Sequence, residues 1–333
     1  MKNIFYLFLL FLWACSPSDT TILVTNSGET QGTFYHIKYK SEKGVSYQVQ
    51  IDSLLAEIDS SVSIYKPYSI ISKLNRGEKV QTDDIFNSVY FDAVHVYINT
   101  KGYFDCTVFP LVSYWGFYKN LGYDNTEIDS SKVLKILNNI GMHKTSRTDS
   151  SVILEKGVHL DFNAIAQGYS VDLIAELLER KGVHNYLIEV GGELKAKGRN
   201  ADGYIWRVGV DKPSEEIDVN NRFQFILDLE NLAMATSGNY RKFYEKDGVK
   251  YAHTINPKTG FPAQNRLLSV TVITNECALA DAYATAFMAM GVKKTKQTIA
   301  LLDDQVDVYL VYTDKNGNWK NYISPRMKKW IIN

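Results

Sequence analysis

The sequence predicts one α+β domain built on a largely antiparallel sheet. Three observations carry that reading. Strand-like and helix-like runs are mixed, without the strict strand–helix–strand alternation that builds a parallel sheet. The chain closes on a hairpin pattern, Val306 to Tyr312 and Trp319 to Ile323 around a turn at Asn316-Gly317. No repeat with a period of roughly 20–50 residues, which would signal a solenoid or propeller, interrupts this mixture. By length alone, 333 residues allow one large domain or two, and 45% apolar content supplies an ample core. Lys and Arg (37) balance Asp and Glu (37), so no net basic charge points to nucleic acid or anionic lipid. The 22 tyrosines could stack on a planar ligand, although most will serve packing.

The elements follow in order. Residues 1–16 read MKNIFYLFLLFLWACS. Lys2 and the apolar run Ile4 to Trp13 form an export leader, too short to span a bilayer. Leu12-Trp13-Ala14-Cys15 resembles the lipobox of bacterial lipoproteins, with Trp13 bulkier than usual. On that reading residues 1–14 are a signal peptide, Cys15 is lipidated, residues 15–26 are a polar tether and 27–333 the folded domain. A plain export leader with an incidental cysteine is the alternative. Thr33 to Lys40 alternates Tyr35, Ile37 and Tyr39 against His36, Lys38 and Lys40, a half-buried strand. Ile51, Leu54, Leu55 and Ile58, then Phe86, Val89, Tyr90, Ala93, Val96 and Tyr97, have helical spacing, and the stretch between the two helices reads as a loop. Tyr103 to Phe117 is aromatic and broken by Pro110, and a short helix around Val133 to Leu137 follows in a polar, peripheral region. Val152 to Glu155 and Val158 to Leu160 read as short strands leading to a helix that ends near Arg180, with Gly182 just beyond. Tyr186 to Val190, Trp206 to Val210, Phe223 to Leu229 and Leu267 to Thr274 read as strands, and Lys294 to Leu302 as a helix. Cys106 and Cys277 sit in apolar surroundings, which favours buried thiols, though a bridge between them stays open.

The chemistry centres on Cys277 to Met290, CALADAYATAFMAM, a helix apolar nearly all round and closed by Gly291. Its one charged residue is Asp281, and Thr285 lies one turn on, on the same face. A buried carboxylate needs a cation, a metal or several donors. Two hard oxygens on one face suit Mg2+, while a neighbouring loop's backbone donors are the alternative. Three further runs carry polar groups at element junctions. Asp161 to Asp172 holds Asp161, which either binds a ligand or caps the helix, and small residues that would let a ligand approach the backbone. His253 to Pro262 is dense turn chemistry around one histidine, structural or catalytic. Ala235 to Arg241 is a polar turn that either holds phosphate oxygens or caps a helix.

DFNAIAQGYSVD, GGEL, ATSGNYRKF, HTINPKTGFP and CALADAYAT, in this order, resemble the ApbE family of FAD:protein FMN transferases. QGTFYHI, SIYKPYSIISKLN and YFDCTVFPLVSYWGF are similar to its N-terminal half, so the resemblance spans Gly32 to Ile323. It implies Mg2+ held by the side chains of Asp281 and Thr285 and the carbonyl of Ala164. It implies FAD, as substrate, gripped by Gln31, Tyr65, Tyr103, Phe104, Asp105, Asp161, Gln167 and Ile255, with His253 assisting proton transfer. The chain departs from the pattern: Gln31 replaces the usual Met, Asn163 a Gly or Ser, Gln167 a Lys and Asn256 an Asp. The reaction implied is transfer of FMN to a Thr hydroxyl of an exported partner, with release of AMP. Acceptors in the family are exported subunits of membrane redox complexes, including Na+-pumping quinone reductase and Rnf types. A lipid-anchored enzyme facing the periplasm suits them. An Mg2+-dependent FAD pyrophosphatase, or a lipoprotein that binds flavin without chemistry, are the other readings the residues allow.

Overall fold

The computed structural model describes residues 21–118, 129–212, 222–239, 243–246, 249–252, 254–302 and 306–332. Cys15, the leader, Tyr240, Arg241 and His253 lie outside the described residues. In chain order the elements are β1 (Thr21–Thr30), β2 (Thr33–Glu42), α1 (Gln48–Val62), α2 (Ile70–Asn75), α3 (Asp84–Asn99), α4 (Phe109–Tyr114) and α5 (Ser130–Leu137). Next come β3 (Thr145–Arg147), β4 (Val152–Leu154), α6 (Ala166–Arg180), β5 (Tyr186–Val190), β6 (Glu193–Lys197), β7 (Trp206–Asp211), β8 (Phe223–Leu229) and β9 (Leu232–Gly238). The last are β10 (Phe243–Lys246), β11 (Val249–Ala252), β12 (Leu267–Thr274), α7 (Cys277–Ile299), β13 (Asp307–Thr313), β14 (Trp319–Ile323) and β15 (Ile331–Ile332).

Alternation along the strands builds two layers of core on one sheet. The eight-stranded sheet runs β1-β2-β5-β6-β9-β12-β13-β14, antiparallel at every pairing. Successive side chains point to opposite faces of a strand. On one face Tyr35, Ile37, Ile188, Ala235, Val272 and Val308 meet α1, α3, α6 and α7. On the other, Ala196, Met234, Ile273, Tyr309 and Val311 meet the three-stranded sheet β15-β8-β7 through Val208, Leu227 and Leu229. A third, smaller cluster joins Leu111 and Trp115 to Val133 and Ile255. Among the described residues no helix is long and apolar enough to cross a membrane.

Gly291 breaks α7 at φ 73 and ψ 171, a conformation open to glycine but strained for other residues. Asn265 Nδ2 donates to Met288 O at 2.8 Å and Thr295 Oγ1 to Gly291 O at 2.9 Å, so carbonyls near the break keep partners. The predicted helix over Cys277 to Met290 and the one after Lys294 are the two limbs of this element.

The structure corrects four sequence-based expectations. Thr21–Thr30 pairs with β2 along its whole length, so residues 21–26 belong to the sheet and not to a tether. Those residues carry no apolar alternation because β1 is an edge strand, exposed along most of its length. The stretch between α1 and α3 contains α2, started by Ser69, whose side chain accepts from Ser72 N. Val158 to Leu160 is not a strand: the Asn75 side chain donates to Leu160 O at 2.8 Å and accepts from Leu160 N at 2.7 Å. One amide thus supplies the two backbone partners a neighbouring strand would have given. Ala235 to Gly238 is no turn but the end of β9, paired with Ser269 to Val272 of β12.

Candidate active site

Helix α7 is placed by its N-terminus. Glu276, which precedes it, gives no side-chain cap. Asp172 of α6 accepts from Ala278 N at 2.9 Å, satisfying one of the helix's free amides. Lys195 of β6 donates to the same carboxylate at 2.6 Å and balances its charge. The α6–α7 crossing is closest at Gly168, where an added Cβ would stand 2.3 Å from Cys277 O. Gly168 therefore serves helix–helix approach, where the sequence suggested approach of a ligand. It also brings its own N–H to Asp281 Oδ2 at 3.3 Å.

That one long bond leaves Asp281 poorly compensated. The residue is 6% exposed. Burial pushes its carboxyl up to about 7, against the smaller opposing pull of the Gly168 N–H. Thr285 sits one turn on, its hydroxyl 3.5 Å from Ser237 Oγ at the end of β9. Asp281, Thr285 and Ser237 thus present hard oxygens from two elements. Among the described residues no group of three or more His, Cys, Asp or Glu gathers as a metal cluster. A cation here would combine one carboxylate with hydroxyl, carbonyl and substrate oxygens, a donor set that suits Mg2+.

Asp161 lies in the turn before α6. Its backbone N–H donates to Cys106 O at 2.7 Å, tying it to the Tyr103–Thr107 run. Its carboxylate accepts from Asn163 N at 2.8 Å, so it closes the turn and does not cap the helix, which starts at Ala166. Burial raises Asp161 to about 6. Asp105 is raised by burial too, opposed by the Thr107 hydroxyl and amide at 2.6 and 2.9 Å and by Lys258 and His143. The Cys106 thiol is held well above its usual value, first by burial and then by Asp105, Asp161 and Asp281. Asp105 adjoins Cys106 in sequence and Asp161 is hydrogen-bonded to its carbonyl, so two predicted site carboxylates flank one buried thiol.

Tyr65 is 53% exposed, stacks on Tyr118 with ring centroids 5.6 Å apart, and accepts from Asn163 Nδ2 at 3.4 Å. An exposed aromatic face beside Asp161 is a platform for a planar ring. Ala164 is half-buried between Asn163 and the start of α6. Gln167 lies over Gly191, where an added Cβ would meet its amide nitrogen at 2.8 Å. Gln31 turns the β1–β2 hairpin at φ 50 and donates to Ser170 Oγ at 2.7 Å, while its Oε1 is buried without a partner. Gln31 also lines a groove of about 570 Å3 between the hairpin turn, α1 and Lys66. Asp281 and Asp161 do not line that groove, so volume alone does not locate the chemistry. Phe104 is buried, its N–H held by Thr100 Oγ1 at 3.0 Å. Ile255 is buried against Trp115, whose indole donates to Gly260 O at 2.8 Å.

Asn75 and Lys294 lie outside the three polar runs the sequence singles out, while Ser237 and Lys258 lie inside two of them without being marked individually. Asn75 and Ser237 act through local hydrogen bonds that no periodicity marks. The lysines look like ordinary surface charge until the fold brings them to the Tyr103–Asp105 run.

The chain resembles known proteins over most of its length. A sequence model of the ApbE family matches residues 31–310. The FAD:protein FMN transferase of Vibrio cholerae is 34% identical, aligned over 97% of this chain and 96% of its own length. The solved flavin transferase ApbE from Vibrio cholerae superposes with a TM-score of 0.82 at 33% identity, covering 93% of this chain and 99% of that one. The apo flavinyl transferase ApbE of Pseudomonas stutzeri also gives 0.82, at 28% identity, covering 93% and 97%.

Proposed function

The chain belongs to the ApbE family, and on that premise we propose that it transfers FMN from FAD to a hydroxyl of a partner protein. The observation that carries the reading is the buried Asp281 carboxylate beside the Thr285 hydroxyl, met by one long backbone bond. The acceptor is a Thr of an exported flavin-binding subunit of a membrane redox complex. Its oxygen bonds to the FMN-side phosphorus, the bond to the bridging oxygen breaks, and AMP leaves with that oxygen. The hydroxyl proton passes to a base, assigned to His253. Asp281, Thr285 and the carbonyl of Ala164 would hold Mg2+, which when bound would supply charge neutralisation for the pyrophosphate. Tyr65 offers its face to the flavin, and Asn163 orients that ring from the turn that Asp161 closes. Phe104, Asp105, Gln31, Gln167 and Ile255 wall the remainder of the FAD site. Lipidation at Cys15 holds the enzyme at the membrane surface, facing the periplasm, where such acceptors reside and where tethering raises their effective concentration.

The test is one reaction with FAD, Mg2+ and an exported acceptor domain, read by covalent flavin fluorescence and by AMP. Equal amounts of AMP and labelled acceptor, both absent without Mg2+, are the expected result. AMP released equally with and without acceptor, alongside free FMN, would show a pyrophosphatase. Bound FAD with neither product would leave a binding protein.

A further inference from the structure

The candidate FAD site gathers three buried carboxyl groups, and its substrate is an anionic dinucleotide. Asp105, Asp161 and Asp281 all act on the Cys106 thiol, and a dinucleotide adds two phosphate charges. A divalent metal meets part of this. The nearby cations are mostly committed: Lys195 to Asp172 at 2.6 Å and Lys66 to Asp59 at 3.6 Å. Gln167 brings none.

Two lysines from separate elements converge on the Tyr103–Asp105 run. Lys258 reaches it from the loop after Ile255, which is fixed by Asn256 Oδ1 accepting from Lys258 N at 2.9 Å. Its ammonium occupies a notch at Gly102, where a Cβ would stand 2.7 Å from Nζ and 3.0 Å from the Tyr97 ring. Gly102 itself has φ +74, so a side chain there would be strained as well as obstructive. Lys294 reaches from the second limb of α7, re-aimed by the Gly291 break. It donates to the Tyr103 hydroxyl and stands 4.5 Å from that ring's centroid. Among the described residues neither lysine forms an ion pair. A solvated surface lysine has no need of a glycine notch or a tyrosine perch.

We propose that Lys258 and Lys294 are the phosphate-compensating residues of the FAD site, closing from two sides on the Gly102–Asp105 run and opposing the negative charge of the dinucleotide. The inference rests on the flavin-transferase reading and names how that site tolerates its anionic substrate without a cation at position 167. The ligand class is a nucleoside diphosphate ester, and the interaction is electrostatic before it is geometric.

The test is a charge series on the full mature chain, with FAD affinity read by flavin fluorescence at low and high KCl. Lys258→Arg should bind FAD like the parent, Lys258→Met roughly fivefold more weakly, and Lys258→Glu more weakly again. Lys294→Met should cost a similar factor. The differences should shrink when KCl is raised from about 0.05 M to about 0.5 M. Gln167→Lys added to the Lys258→Met/Lys294→Met chain should recover part of the loss. A flat series, in which Arg, Met and Glu at 258 bind alike, overturns the proposal, as does a loss that salt does not change. Failure of the parent chain itself to bind FAD would sink the flavin-transferase reading and this inference with it. FAD binding with a flat series sinks this inference alone.

Discussion

Asp281 sets the pH behaviour of the site. Its folded-state value of about 7 lies above the ordinary 3.8. Well below pH 3.8 the carboxyl is neutral in both folded and unfolded chains, so its full contribution to stability is present. As pH rises to 7 the unfolded chain ionises first, and stability on the order of 4 kcal/mol is lost from the metal-free protein. Asp161, raised to about 6, acts in the same direction over a narrower window. In chelator, melting temperature should therefore fall between about pH 4 and pH 7, and a pH series of thermal melts checks it. A rise over that range would show that these carboxylates are ionised and well paired in the fold. Thr285 supplies the second side-chain oxygen. Thr285→Val should raise the Mg2+ concentration needed for transfer by about tenfold, with Thr285→Ser near the parent, as read from activity across a Mg2+ titration. Equal behaviour of Val and Ser would remove the hydroxyl from the metal site. At this scale the sequence was most informative where a residue type contradicted its surroundings. An aspartate in an otherwise apolar helix was visible at once, whereas Asn75 was hidden because a polar residue near a turn is unremarkable.

Among the elements, the crossing of α6 and α7 does most to place the site. The Gly168 contact with Cys277 O leaves no room for a methyl group. Gly168→Ala should destabilise the fold by roughly 1–3 kcal/mol through forced separation of the two helices. Transfer activity should fall further than stability explains, because the Asp281 hydrogen bond moves with the helix. Denaturant melts together with activity at a temperature where the variant is fully folded separate the two effects. Unchanged stability would show that the helices can part at no cost. The helices and the sheet's buried strands were legible because their apolar spacing is strong: β2, β5, β12 and α6 fall close to where the pattern puts them. Three kinds of element were not. Edge strand β1 has little buried side to betray it, α2 is a six-residue helix set by a Ser cap, and Val158 to Leu160 loses its strand partner to Asn75. In each case a local hydrogen bond or an open edge outweighed composition.

For the molecule as a whole, fold class and family were readable because five short motifs keep one order along the chain, two of them falling on the paired helices α6 and α7. The position of the folded domain's start was not, since residues 21–26 lie on an exposed edge strand whose apolar Ile22, Leu23 and Val24 show no alternation. Cys15→Ser should move the protein from the membrane to the soluble fraction while its transfer rate toward a soluble acceptor is retained, by fractionation and assay. Membrane retention of that variant would remove the lipid anchor. Metal binding, too, is a property of the whole fold, because a ligand that binds only the folded chain raises its stability. Centrally, the buried charge of Asp281 should be met by a divalent metal. Thermal melts of the parent and Asp281→Asn at pH 8, in chelator and across a Mg2+ titration, test it directly. The parent should melt low in chelator and rise with Mg2+. Asp281→Asn should melt higher than the parent in chelator, by roughly 5 °C, and ignore Mg2+. A parent that does not respond to Mg2+, or a variant that responds equally, would contradict the claim.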